Sequence, residues 1–150
     1  MRFDKFTARL QEAIGEAQSL AVGRSHSTIE PVHVMLALLR QQGGSTRPLL
    51  GRVGINVGDL ETALQLALDN LAVVKPFSGD VQVSQNLSRL FNLADREAQQ
   101  RGDQYISSEA LLLAACDDSG ELGKLLSRAG VVKKVLAEKI NELRGGESVN

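Results

Sequence analysis

Aromatic residues make up only 3% of this 150-residue chain, and tryptophan is absent. Single-stranded nucleic acids are held largely by bases stacking on aromatic side chains, so that platform is missing. An excess of one charge is lacking too: 17 basic residues face 18 acidic ones, scattered along the chain, for a formal net charge of -1. That balance gives neither a basic footprint for nucleic acid nor an attraction to an anionic membrane. The single cysteine, Cys116, cannot close an internal disulfide, which suits a reducing compartment. The longest apolar run, Ala110 to Cys116, is far shorter than the roughly 20 residues needed to cross a bilayer. The opening Met1 to Lys5 is polar and lacks the pattern of a secretory signal. The expectation is a cytoplasmic, soluble, monomeric protein with no nucleic-acid or membrane partner.

Chemistry is scarce as well. His26 and His33 have no cysteine pair to complete a zinc site, and His33 reads as a partly buried packing residue. Cys116 ends an apolar stretch with no histidine near it in sequence, so it reads as a small core residue rather than a nucleophile. In Gly120-Glu121-Leu122-Gly123-Lys124 the glycines are too close together for a phosphate loop, and Asp117-Asp118 reads as a solvated loop. No catalytic residue, metal or cofactor is expected.

What the chain does have is helical periodicity. Hydrophobic residues make up 43% and charged residues 23%, the balance of a globular domain. Leu10, Ala13, Ile14, Ala17 and Ala21 fall on one helix face behind a capping Thr7. A second helix is expected over Val32 to Leu39, a short third from Ser45 to about Val53, and a fourth, capped by Asn56, through Leu60, Ala63, Leu64, Ala67 and Leu71. Periodicity lapses from Ala72 to Val83. Ser84 then caps a fifth helix bearing Leu87, Leu90, Phe91, Ala94 and Ala98, and Ser107 caps a sixth over Glu109 to Cys116. A seventh covers Glu121 to Ala129, and an eighth carries Val132, Val135, Leu136, Ile140 and Leu143.

The halves repeat each other. At an offset of 77, Leu10, Ala17, Ala21, Arg24, Ile29, Leu36 and Ala37 meet identical residues at Leu87, Ala94, Ala98, Arg101, Ile106, Leu113 and Ala114. One deletion changes the offset to 76, and Leu49, Leu50, Arg52, Gly54 and Leu60 then match Leu125, Leu126, Arg128, Gly130 and Leu136. The reading is an all-α domain of about eight helices, two four-helix repeats packed with pseudo-twofold symmetry. Repeat one spans about 6–71, a linker 72–83 and repeat two about 84–143; residues 145–150 read as the start of another linker.

Leu90 and Leu93 stand at the edge of the fifth helix's apolar face, where the first helix has Ala13 and Glu16. Two readings stay open: an exposed groove for extended protein segments, or burial by the linker or by unequal packing of the two repeats. The groove reading gives Leu90, Phe91 and Leu93 as candidate substrate-binding residues.

Ile29-Glu30-Pro31-Val32-His33 and Ile106-Ser107-Ser108-Glu109 resemble, in degenerate form, the Ile-x-x-Glu-His motif of the double Clp repeat that opens AAA+ unfoldases. Ala17 to Ala21, Gly79 to Gln82, Arg101 to Asp103 and Arg144 to Asn150 are similar to the family's protein-disaggregase branch. The resemblance covers the whole chain. It implies a domain that receives unfolded or aggregated polypeptide for an ATP-driven ring, with the ATPase modules outside these residues and co-chaperones reached through the ring. It also implies roles in substrate handling for Thr7, Asp103 and Glu109. Each has a structural reading beside it: Thr7 as an N-cap, Glu109 as a favoured first-turn carboxylate, Asp103 as a loop anchor. Repeat two has Ala110 where repeat one has His33, so no role of that histidine is common to both. The alternative to substrate capture is docking of a folded adaptor.

Overall fold

The structure is a computed structural model and describes residues 3–149; Met1, Arg2 and Asn150, which enter the patterns above, lie outside it. After a 3-10 turn at Phe3–Lys5 come α1 (Ala8–Gly23), β1 (Thr28–Ile29), α2 (Pro31–Arg40), α3 (Thr46–Arg52) and α4 (Val57–Asp69). The second half holds β2 (Gln82–Val83), α5 (Gln85–Gln100), α6 (Ser108–Ala115), α7 (Glu121–Arg128) and α8 (Lys133–Arg144). The all-helical architecture stands, with helix ends within a residue or two of the expected ones.

The capping residues act as their chemistry suggests. Leu10 N–H donates to Thr7 Oγ1 at 3.3 Å, Leu87 N–H to Ser84 Oγ at 3.0 Å, and Ala110 N–H to Ser107 Oγ at 3.1 Å. Asn56 accepts from Asp59 N–H at 3.1 Å. Each bond satisfies a backbone donor that the first helical turn leaves without a partner.

Helices α2 and α6 form the centre. All residues of α2 from Pro31 to Leu39 are buried, as are those of α6 from Ala110 to Ala115. Neither helix has a polar side, so each needs neighbours all round. Helix α2 packs on α1, α3 and α4 of its own repeat and reaches α5 and α7 of the other. Helix α6 likewise touches α3 of repeat one besides α5, α7 and α8.

The repeats are also tied by backbone pairing, which the sequence did not announce. β1 pairs in parallel with β2, Thr28 opposite Gln82 and Ile29 opposite Val83, and Ser84 N–H donates to Ile29 O at 3.2 Å. At the matching place Phe6 bridges Ile106, with Thr7 N–H donating to Ile106 O at 3.0 Å and Ile106 N–H to Lys5 O at 2.8 Å. The segment opening each repeat is therefore held by the helix–helix loop of the other.

One glycine marks where the repeats differ. Ala37 to Leu49 spans 12 positions and Ala114 to Leu125 only 11, so the connection into α7 is shorter. It brings the Asp118 carbonyl against Gly123, where a Cβ would overlap the carbonyl oxygen; Gly123 N–H also donates to Asp118 Oδ2 at 3.2 Å. The counterpart in repeat one is Arg47, which has room to send its Nε–H to Leu39 O at 3.2 Å.

Candidate protein-binding surfaces

The expected groove on α5 is not open where the sequence reading put it. Leu90 and Phe91 are buried, and the buried set of α5 (Leu87, Leu90, Phe91, Ala94, Ala98) repeats position for position that of α1 (Leu10, Ala13, Ile14, Ala17, Ala21). Leu90 thus fills the place of Ala13 within the core. The helical wheel put it off the edge because the arc that α5 buries, most of it against α6, is wider than one narrow face. The ring of Phe91 lies 4.9 Å from that of Phe6, which Phe3 in turn meets edge-on at 5.6 Å. Leu93 differs: it is half-buried, packed against the core from outside, and its counterpart Glu16 is exposed.

Thr7, Asp103 and Glu109 gather around the α5–α6 loop. Thr7 joins it through the bond to Ile106 and is half-buried. Asp103 and Glu109 meet at Arg144, the last residue of α8. Arg144 Nη1–H donates to Asp103 Oδ1 and Oδ2 at 3.2 and 2.9 Å, Nε–H to Glu109 Oε2 at 3.1 Å, and Nη2–H to Ser107 Oγ at 3.2 Å. The Asp103 side chain is 0% exposed and that of Arg144 12%. Burial disfavours the guanidinium charge, but the bonds and charges of Asp103 and Glu109 outweigh it and raise the arginine pKa.

In repeat one the corresponding loop is served by two histidines. Glu30 N–H donates to His33 Nδ1 at 2.8 Å, so the proton of neutral His33 sits on Nε2 and points at His26 Nδ1, 2.9 Å away. Both rings are buried, His33 fully. Burial, then the neighbouring His26, push the His33 pKa down to about 4; burial and Arg24 lower that of His26. His33 is thus a packing residue with a fixed tautomer. Cys116 is half-buried, and burial and then Asp117 raise its pKa to about 11, which favours the thiol over the thiolate.

Two further grooves lie along the seam between the repeats. The larger, about 510 Å³, runs between α4 and α7 over Leu60, Ala63, Ala67, Leu125 and Ala129, with Asp59, Glu121 and Arg128 on its rim. Leu66 stands beside this floor and is 58% exposed. The smaller, about 290 Å³, runs between α3 and α8 over Leu49, Ile140 and Leu143. They are pseudo-symmetric mates: Ser45, Leu49, Arg52 and Leu143 of the second correspond to Glu121, Leu125, Arg128 and Ala67 of the first. Glu109 and Arg144 close in on the smaller one, leaving the α4–α7 groove the roomier of the two.

Sequence reasoning missed these grooves because each is built across the repeats. A usable signal was Leu66, which lies off the Leu60–Leu64–Leu68 stripe of α4. Among the described residues no cluster of side chains could hold a metal ion, and no helix is long and apolar enough to cross a membrane.

Comparison with known proteins agrees with the repeat reading. The model of the Clp repeat (R) N-terminal domain family matches residues 5–129. The chaperone protein ClpB of Pseudomonas putida is 56% identical over 150 residues, all of this chain and 18% of the relative. The chain thus spans about a fifth of the length of the curated relatives it matches. Among solved structures, the Hsp104 N-terminal domain from Candida albicans superposes with a TM-score of 0.84 at 23% identity, covering 97% of this chain and 95% of that one. A ClpV N-domain in complex with a VipB peptide has a TM-score of 0.69 at 18% identity, covering 98% of this chain and 91% of the other.

Proposed function

The chain belongs to the family of Clp repeat N-terminal domains, and we propose that it binds extended apolar segments of unfolded or aggregated protein for an ATP-driven disaggregase. The observation that carries this reading is the open α4–α7 groove with Leu66 exposed at its edge. A long groove with an apolar floor and a rim of both charges suits an extended segment carrying Leu or Phe side chains. That a ClpV N-domain of similar fold forms a complex with a VipB peptide supports peptide binding as the general task. In this reading residues 6–71 and 84–143 are the two repeats, and ATP hydrolysis belongs to other modules of a longer protein.

Of the residues first singled out, Leu90 and Phe91 are buried and support the fold, while Leu93 is a second, smaller apolar contact. Fully burying one leucine is worth roughly 1.5–3 kcal/mol, before the cost of ordering a flexible ligand. Binding through a few such contacts is therefore weak, on the order of micromolar or poorer, which suits a segment that must be passed on.

The test is an NMR titration with a permanently unfolded protein and with a folded control, on the unaltered chain, Leu66→Glu and Leu93→Glu. We expect binding of the unfolded ligand alone, lost in Leu66→Glu and weakened in Leu93→Glu, with melting temperature little changed by the first. Loss in Leu93→Glu alone would move the site to α5. Survival in both would overturn the groove reading, and preference for the folded control would favour adaptor docking.

A further inference from the structure

The segment after α8 does not leave the domain freely. It folds back on the α5–α6 loop, where Val149 N–H donates to Asp103 Oδ1 at 2.8 Å and Gln104 N–H donates to Val149 O at 2.7 Å. Asp103 therefore serves two partners: Arg144 Nη1 spans both of its oxygens, and Oδ1 also accepts from the Val149 backbone. Arg144 has committed its Nε, Nη1 and Nη2 donors to Glu109, Asp103 and Ser107. The strap turns at Gly145 and Gly146, whose φ values of 60° and 90° lie in the left-handed region.

A second observation shows that this path is built into the fold. In repeat one the segment after α4 crosses the corresponding loop, and Val74 N–H donates to Ser25 O at 2.9 Å. There the chain runs on to β2 and pairs with β1. In repeat two the place matching β2 is already taken by Lys5 and Phe6, which pair with Ile106. The route that repeat one takes is therefore closed to the segment after α8.

We propose that Asp103, Glu109 and Arg144 form a clamp that pins the segment 145–149 to the α5–α6 loop and so fixes where, and in what direction, the chain leaves the domain. Asp103 and Glu109 are then positioning residues and do not contact incoming polypeptide. The enclosed Asp103 side chain fits this, since the strap covers it. The clamp is local to this end of the molecule and does not depend on the α4–α7 groove binding anything.

The experiment follows backbone amides by NMR in the unaltered chain, in Asp103→Asn and in Val149→Pro, with binding of an unfolded protein measured in parallel. Val149→Pro removes the strap's donor and leaves Asp103, Arg144 and Glu109 in place, so it loosens the strap even where Asp103→Asn disturbs the fold. In the unaltered chain the Gln104 and Val149 amides should exchange slowly, and residues 145–149 should give the relaxation of ordered backbone. Hydrogen bonds to a charged acceptor support a loss of protection of roughly tenfold or more at Gln104 in either variant. Binding of unfolded protein should stay within about twofold in Val149→Pro. A strap that relaxes as free coil in the unaltered chain overturns the clamp. So does an Asp103→Asn variant that keeps Gln104 protected yet loses binding, because Asp103 would then be a ligand contact.

Discussion

The α1–α2 loop and the α5–α6 loop occupy matching places in the two repeats and solve one problem differently. In both, the chain leaves the first helix through a left-handed residue, Ser25 (φ 58°) or Gly102 (φ 74°). In both, the next amide reaches back, His26 N–H to Ala21 O and Asp103 N–H to Ala98 O, each at 2.9 Å. The side chains then diverge. Repeat one fills the site with two neutral rings that satisfy each other. Repeat two puts a carboxylate there, has Ala110 in place of His33, and brings in Arg144 where repeat one has the buried Leu68. A duplicated fold can therefore keep its backbone while exchanging a nearly neutral polar pair for an ionic one, provided both partners change. Removing one partner alone would strand a buried polar group.

The largest expected effect tests the shorter connection into α7 against its counterpart in repeat one. Gly123→Ala forces the Asp118 carbonyl away and should lower stability by about 3 kcal/mol or more, read as a shift in the denaturant midpoint. Arg47→Ala, at the matching place, should change it by less than about 1 kcal/mol. Equal effects would erase the distinction.

Next comes acid. The His33 pKa is depressed in the folded state from 6.5 to about 4, so the unfolded chain takes up the proton first as pH falls. The stability contributed by neutral His33 is complete above pH 6.5 and drains away between 6.5 and 4, by about 3 kcal/mol at one pKa unit per 1.4 kcal/mol. Protonation also puts a donor on Nδ1 against the Glu30 N–H. His33→Ala, which copies Ala110, should start about 2 kcal/mol less stable and show a shallower decline. A slope unchanged by the substitution would assign the acid sensitivity elsewhere.

The smallest effect is a gain. Ser25 holds a conformation that glycine adopts without strain, and repeat two has Gly102 there. Ser25→Gly should stabilise the domain by up to about 1 kcal/mol, measured as a rise in melting temperature. A loss would mean that the two loops are less alike than their backbones suggest.

Which parts were legible in the sequence follows from how local their causes are. Thr7, Asn56, Ser84 and Ser107 were readable as caps because each acts on an amide three positions away. The eight helices and their repetition followed from periodicity. β1 and β2 carry two residues each, too few for a pattern, and owe their existence to the packing of the two repeats. The Arg144 cluster joins residues 35 to 41 positions apart, and nothing in the local sequence marks it. For Leu90 the sequence left burial and exposure both open, and the structure buries it, as it buries Ala13 at the matching place of α1. Leu66, off the stripe of α4, was not singled out, because the groove beside it needs α7 from the other repeat.

The crossed pairing of Thr7 with Ile106 and of Ser84 with Ile29 has a kinetic consequence. The segment before the first helix of each repeat pairs with the other repeat, so the domain is an exchange of segments carried out within one chain. Between separate molecules such an exchange would be second order, and its extent would vary with protein concentration. The covalent run through residues 72–83 makes it first order, at an effective concentration on the order of millimolar for a short connection. Folding of the two halves around each other is thereby insulated from dilution.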